Sequence, residues 1–239
     1  MNIILVEKDD FISDSQVQLT DRRHQHILNI HQAHAGDRLK VGLINGDIGQ
    51  GTVISIDSLQ VTLDIDLHST PPPALPTTLL LALPRPKMFK RILQTISSMG
   101  VKELYLINSY RVDKSYWSSP LLSEAAIKEQ LILGLEQAVD THLPKVHLRK
   151  RFKPFVEDEL PSICKNHQYN WVAHPYHAQP CPPSSNEKTL IAIGPEGGFI
   201  PYEIEKFNAA GISSIHLGER ILKVETAVPA ILSRLFPIA

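Results

Sequence analysis

Leu190-Ile191-Ala192-Ile193-Gly194-Pro195-Glu196-Gly197-Gly198-Phe199-Ile200-Pro201 is the stretch on which the fold of this chain turns. Four apolar residues in a row read as a buried strand, and Pro201 opens a helix at the position where its missing N–H matters least. A glycine-rich turn lies between them. Open α/β sheets bind ligands at the carboxyl ends of their strands, where such turns sit. Glycines let the backbone pass close to a ligand, and exposed N–H groups there can hold polar atoms. No Lys-Ser/Thr follows, so this is not a Walker loop. Nor is the spacing GxGxxG, which removes the usual dinucleotide reading. A tight strand-to-helix turn without a ligand explains the same residues about as well.

The arrangement then repeats. Gly211 closes the helix that Pro201 opened, Ile212 to Leu217 returns as a strand, and Val224 to Leu235 makes a terminal helix. The connecting stretch is Leu217-Gly218-Glu219-Arg220-Ile221-Leu222-Lys223-Val224-Glu225-Thr226-Ala227. Loops of this grade on successive strands can form opposite walls of one pocket. Glu225 and Thr226 equally suit capping at a helix start. Upstream, Thr78 to Leu83, Leu104 to Ile107 and Trp171-Val172-Ala173 read as further strands. Helical periodicity runs through Met88, Ile92, Ile96 and Met99 to a stop at Gly100, and from Ser123 to Thr141 through Ile127, Leu131, Leu135 and Ala138. Strands alternating with helices argue for a largely parallel sheet covered on both faces.

The first segment is different. Val61, Leu63, Ile65 and Leu67 alternate as on one face of a strand, and Asn45-Gly46 suits a type I′ hairpin turn with both residues at positive φ. Asp21 to Ala35, polar and rich in histidine, reads as helical. Pro71-Pro72-Pro73, with Pro76 after it, is stiff and extended, and the domain boundary is placed there. The architecture expected is a small β-barrel followed by an α/β domain.

Composition narrows the function classes. The 239 residues are 43% hydrophobic and 21% charged, enough for a core in one large domain or two modest ones. No apolar run approaches the length of a membrane span, and the start lacks a basic region and cleavage site, which argues against secretion. Cys164 and Cys181 do not make a disulfide framework, so a reducing cytoplasm is the expectation. The net charge of −1 advertises no global attraction to nucleic acid, so RNA binding would need local patches. His174, His177 and Cys181 lie close together, but a fourth zinc ligand is missing and a proline-rich loop accounts for them. The histidines at 24, 26, 31 and 34 suit a polar helix face better than a metal site. No Gly-x-Ser-x-Gly elbow or Cys-His nucleophile appears, which leaves a hydrolase without support.

Gly194-Pro195-Glu196-Gly197-Gly198, followed by Leu217 to Ala227, resembles the paired C-terminal signature of the RsmE family of RNA methyltransferases. Gly134-Leu135-Glu136-Gln137 before Leu143-Pro144 is similar to the family's Glu-Gln helix leading into a proline. Leu83-Pro84-Arg85-Pro86-Lys87 with Gly100-Val101 resembles its first motif, and His24-Gln25-His26-Ile27-Leu28 with Gly36-Asp37-Arg38-Leu39 its N-terminal one. These matches are collinear and span almost the whole chain. Two departures stand out. The family usually has Arg-Thr where this chain has Lys223-Val224, and an arginine-bearing stretch where it has Asp140-Thr141-His142. Lysine keeps the charge but loses the planar fork of arginine.

The resemblance implies an α/β fold: a SPOUT methyltransferase domain at 73–239 with a C-terminal trefoil knot, preceded by a small PUA-like RNA-binding β-barrel domain at 1–72. It implies a cytoplasmic homodimer that uses S-adenosyl-L-methionine to methylate N3 of a uridine in 16S ribosomal RNA of the small subunit, with no metal and no membrane. Gly194, Pro195, Glu196, Gly197 and Gly198 would form one wall of the cofactor site. Leu217, Gly218, Ile221, Leu222 and Val224, with Thr226 and Ala227, would form another, and Ala173-His174-Pro175 a third.

N3 of uracil is hidden in a duplex, so the base must be unpaired or flipped out. Its deprotonation leaves charge on the flanking carbonyl oxygens, which Arg220 or Lys223 could stabilise. Glu196 and Glu225 are the candidate proton acceptors, against the simpler role of helix capping. Basic clusters at Arg22, Arg23, His24 and His26, at Arg85, Lys87, Lys90 and Arg91, and at Arg149, Lys150, Arg151 and Lys153 are the candidate phosphate contacts. Of these Arg22, Arg23, His26, Arg85, Lys87 and Lys90 lie within matched motifs. A solvated charged face is the ordinary meaning of such runs. The competing functions are a catalytically silent RNA-binding protein of the same fold and, more remotely, a nucleotide-binding regulator.

Overall fold

The computed structural model describes residues 1–184 and 186–237. The chain divides into two units, Met1–Pro73 with Ile132–Leu143, and Ala74–Leu131 with Pro144–Ala239.

The first unit is built on a five-stranded curled sheet in the order β1-β3-β4-β5-β2, from β1 (Ile4–Val6), β2 (Gln16–Leu19), β3 (Arg38–Leu43), β4 (Ile48–Ile56) and β5 (Val61–Ser69). β1 runs parallel to β3 and the other pairs are antiparallel. The alternation read in the sequence is the core face: Val61, Leu63 and Ile65 are buried with Val17, Leu19, Val41 and Val53. The β3–β4 turn differs from the expected type. Only Asn45 takes a positive φ, of 61°, and the Gly46 N–H closes the turn onto the Leu43 carbonyl at 2.8 Å. The reason is a second demand on Asn45, whose N–H donates to the Thr141 carbonyl and whose Oδ1 accepts from Leu143 N.

The histidine-rich stretch is shorter than one helix. Asp21 caps α1 (Arg22–His26), a π turn follows at Ile27–His31, and Gln32 stops it in the left-handed region. Residues 132–143, read from sequence with the second domain, complete the first unit. Leu135 is fully buried against Ile3, Leu5 and Ile48.

The second unit holds a seven-stranded sheet in the order β10-β12-β9-β11-β6-β7-β8, all parallel. Its strands are β6 (Thr77–Ala82), β7 (Glu103–Ile107), β8 (Lys145–Arg149), β9 (Tyr169–Ala173), β10 (Gln179–Pro180), β11 (Thr189–Ile193) and β12 (Ser213–His216). The central strands β6 and β11 are buried at every residue, as expected of a sheet covered on both faces. The helices are α2 (Pro86–Ser98), α3 (Glu124–Ala138), which belongs to this unit only as far as Leu131, α4 (Phe152–Pro154), α5 (Leu160–Cys164), α6 (Pro201–Ala209) and α7 (Val224–Leu235). α3 stops three residues short of the expectation. Val139 turns left-handed and Asp140 N donates to the Leu135 carbonyl, the six-to-one bond of a Schellman ending. The strand β8 was not read from sequence. It is an edge strand with no fully buried side chain, so Lys145-Val146-His147-Leu148-Arg149 carries too weak an apolar pattern.

The chain steps outward through β6, β7 and β8, then crosses to the other side of β6 for β9, with β11 inserted beside β6. The reversal puts the carboxyl ends of β9, β11 and β12 next to those of β6 and β7, the position where open sheets bind ligands.

Candidate functional site

A cavity of about 770 Å³ lies at these carboxyl ends. Three of its walls include residues of the loops singled out in the sequence, together with the strand ends that lead into them: 173–177 at the end of β9, 193–199 at the end of β11, and 214–222 at the end of β12. Ala173, His174, Pro175, Gly194, Pro195, Glu196, Gly197 and Gly198 line it, as do Leu217, Gly218, Ile221, Leu222, Val224 and Ala227. Thr226 does not; its N–H closes the first turn of α7 onto the Lys223 carbonyl at 2.9 Å.

The glycines are there for stated reasons. A Cβ on Gly194 would stand 3.2 Å from both Gly198 Cα and Phe199 N, so a side chain there would press on the backbone of the turn. Gly218, at φ +109°, holds a conformation that few other residues accept. His216 Nδ1 accepts the Gly218 N–H at 3.1 Å, which assigns the ring proton to Nε2. His174 sits partly buried in the first wall, and desolvation, aided by the neighbouring His177, pushes its pKa below the ordinary value.

The candidate catalytic residues separate. Glu196 lines the cavity, and its Oε1 accepts the Arg85 N–H at 3.0 Å, so it ties the glycine loop to the start of α2. Arg220 lines the cavity and is exposed. Lys223 is the N-cap residue of α7 and Glu225 lies in its first turn; neither lines the cavity. The two carboxylates are therefore not equivalent. Glu196 is at the site, whereas Glu225 sits where a carboxylate favours a helix N-terminus.

Two residues that sequence reading passed over belong to the same place. Arg111, in the loop after β7, lines the cavity, and its Nη1 donates to the Gly197 carbonyl. Glu203, 2% exposed, accepts the N–H of Ile200 at 2.9 Å and that of Tyr110 at 2.8 Å. It thereby fastens the Arg111 loop to the start of α6. Neither carries a glycine signal, and Glu203 reads in sequence as an ordinary first-turn acid. The Ser109 hydroxyl, buried in the same loop, has no hydrogen-bond partner among the described residues.

The basic clusters are unevenly available. Arg23 is mostly buried and donates to Asp10 and Asp21, so its guanidinium is occupied by two carboxylates. Arg22 makes a bidentate pair with the buried Glu136 of α3 at 2.7 and 3.0 Å. His24 is fully buried, with Nε2 2.9 Å from the Asp57 carbonyl. His26 is half-buried, and desolvation, with the N-terminal amine, His31 and Arg22 nearby, lowers its pKa. Arg85, Lys87, Lys90 and Arg91 are exposed at the start of α2 and along it, outside the cavity lining. In the third cluster Arg149 pairs with Glu159 and Lys153 with Glu157. Among the described residues no group of three or more His, Cys, Asp or Glu could hold a metal ion, and no helix is long and apolar enough to cross a membrane.

Residues 71–236 match the family model described as an RNA methyltransferase domain. Over its length the chain is similar to ribosomal RNA small subunit methyltransferase E of Treponema pallidum (strain Nichols), 28% identical over 96% of this chain and 88% of that protein. It is 30% identical to the methyltransferase of the same name from Mesomycoplasma hyopneumoniae (strain 232) over 65% of this chain and 67% of the other. Its fold is shared with the crystal structure of ribosomal RNA small subunit methyltransferase E from Neisseria gonorrhoeae bound to S-adenosyl methionine. The TM-score is 0.72 at 19% identity, over 98% of this chain and 95% of that one.

Proposed function

The chain belongs to the RNA methyltransferase domain family, and from that premise we propose that it methylates N3 of a uridine in 16S ribosomal RNA of the small subunit, using S-adenosyl-L-methionine. The observation that carries the reading is the cavity where the loops after β9, β11 and β12 meet, placed on the segment that matches the family. The Treponema pallidum relative named for small-subunit rRNA methylation matches 96% of the chain.

The residues present fit the cofactor. A volume of about 770 Å³ accommodates a nucleoside with an amino-acid tail. Ile193, Leu222 and Val224 offer apolar surface for an adenine ring, and the loops at 173–175, 194–198 and 217–218 offer backbone polar groups. When bound, S-adenosyl-L-methionine supplies an electrophilic methyl group. The protein must then exclude water, hold the base with N3 in line, and offset the charge that N3 deprotonation leaves on the ring. Glu196 has one carboxylate oxygen committed to Arg85 N, and its second is the candidate proton acceptor.

In this reading residues 1–72 are a PUA-like RNA-binding barrel and residues 73–239 a SPOUT-type domain whose C-terminal segment forms a trefoil knot. The protein acts in the cytoplasm as a homodimer. RNA phosphates meet Lys87 and Lys90 before Arg22 and Arg23, because the latter are engaged by carboxylates. Calorimetric titration with S-adenosyl-L-methionine and with ATP, followed by mass spectrometry of small subunits lacking the modification, tests the reading. Selective binding of the former and a new 3-methyluridine are expected. A folded protein that binds RNA but not S-adenosyl-L-methionine is a silent relative, and the enzymatic reading fails.

A further inference from the structure

We propose that Arg111 is a catalytic residue of the methyl transfer: its guanidinium faces the substrate base and stabilises the charge that the uracil carbonyl oxygens take up when N3 loses its proton. This rests on the uridine-N3 reading above and deepens it by naming the cation of the site.

Three cations were candidates for that role. Lys223 does not line the cavity. Arg220 lines it and, like Arg111, is exposed, but no described residue holds its guanidinium. Arg111 lines the same cavity and is held. Its Nη1 donates to the Gly197 carbonyl, and its stem lies against that glycine. A Cβ on Gly197 would come within 2.9 Å of Arg111 Cδ and 3.3 Å of its Cβ, so the absence of a side chain at 197 is what lets the arginine lie there. The loop beneath is pinned by Tyr110 N on the buried Glu203, and by Trp117 Nε1 donating to Asn108 Oδ1 at 2.9 Å.

The charge of Arg111 is not cancelled. Among the described residues no carboxylate lies within ion-pair distance of it, in contrast to Arg22, Arg23 and Arg149. One of the five guanidinium N–H groups goes to Gly197, which leaves donors for a ligand in the cavity. A cation fixed before substrate arrives needs no reorganisation as charge develops, which is where electrostatic catalysis is most effective. The neighbouring Tyr110 is 79% exposed.

In the step itself N3 gives its proton to the Glu196 carboxylate or to water, and the freed electron pair forms the new N–C bond. The pair of the breaking C–S bond stays on sulfur. Before that bond forms, the ring carries one negative charge shared by N3 and both carbonyl oxygens. A neighbouring cation lowers the pKa of N3 in the complex.

The test compares wild type, R111K and R111Q in single-turnover methylation of undermodified small subunits across pH. Affinity for S-adenosyl-L-methionine by calorimetry and for the subunit by filter binding are measured in parallel. R111Q is expected to be about 100-fold slower at saturation, with the rising limb of its pH–rate profile displaced to higher pH. R111K should lie between it and wild type, and both variants should bind S-adenosyl-L-methionine within about 2-fold of wild type. An unshifted profile overturns the proposal. So does a defect confined to subunit affinity, which would make Arg111 a phosphate contact, or one that tracks lost cofactor affinity, which would make it a prop for the Gly197 loop. A wild type that binds S-adenosyl-L-methionine yet leaves N3 unmodified overturns the underlying reading before any variant is compared.

Discussion

Glu203 shows what a single buried carboxylate can hold in place. With 2% exposure and two backbone N–H donors, it satisfies the start of α6 and the loop that carries Arg111 at once. Glu203→Ala would remove the partner of both part-buried donors, a loss of about 2 kcal/mol. Urea denaturation should show a lower midpoint at unchanged slope, and an unchanged midpoint would mean that water replaces the carboxylate. Glu203→Gln, which keeps one acceptor oxygen, should lose less. At this scale the glycine turns at 194–198 and 217–218 were legible because glycine marks tight backbone whatever surrounds it. Arg111 and Glu203 were not, because each acts on a partner 86 or 93 positions away in sequence. Arg23 illustrates the reverse case. A basic motif residue suggested phosphate, whereas folding brings Asp10 and Asp21 onto it.

Among the elements, those with an unbroken apolar run or a clean period were readable: β6, β11, α2, α6 and α7 lie where the pattern put them. Those whose form depends on a tertiary partner were not. The β3–β4 turn is set by residues 141 and 143, and β8 is a strand only because β7 lies beside it. Helix α1 carries a pH-dependent cap. Asp21 is partly desolvated, which raises its pKa, but the hydrogen bonds and charge of Arg23 outweigh this and hold it below its ordinary 3.8. A carboxylate depressed on folding contributes stability that is complete above the unfolded value and disappears as pH falls through the folded one. Asp21→Asn keeps a capping oxygen and loses the charge, at a cost of about 1 kcal/mol near neutrality. The gap between wild type and variant in melting experiments should be constant above roughly pH 5 and close below pH 4. A gap that persists at pH 2 would show that the charge is not its source.

For the molecule as a whole, the division of the chain matters more than the shape of either sheet. The polyproline stretch suggests two consecutive domains, but the first unit also takes in Ile132–Leu143, which no local pattern could reveal. Leu135 covers Ile3, Leu5 and Ile48, Glu136 pairs with Arg22, and the Glu136 and Gln137 carbonyls accept the N–H groups of Asn2. A fragment of residues 1–73 should therefore bind a hydrophobic dye and melt at lower temperature than the full chain's N-terminal unit. A peptide of residues 132–143 added in trans should reverse part of both effects, and a fragment that is already tight without it would show that the segment is dispensable. The order of synthesis follows from the same contacts. The ribosome delivers the first 73 residues well before the helix end that closes their core. At roughly 10 residues per second about 70 further residues take several seconds to appear, so the N-terminal unit waits, incomplete and in need of shelter, for a piece of chain made in the middle of the next one.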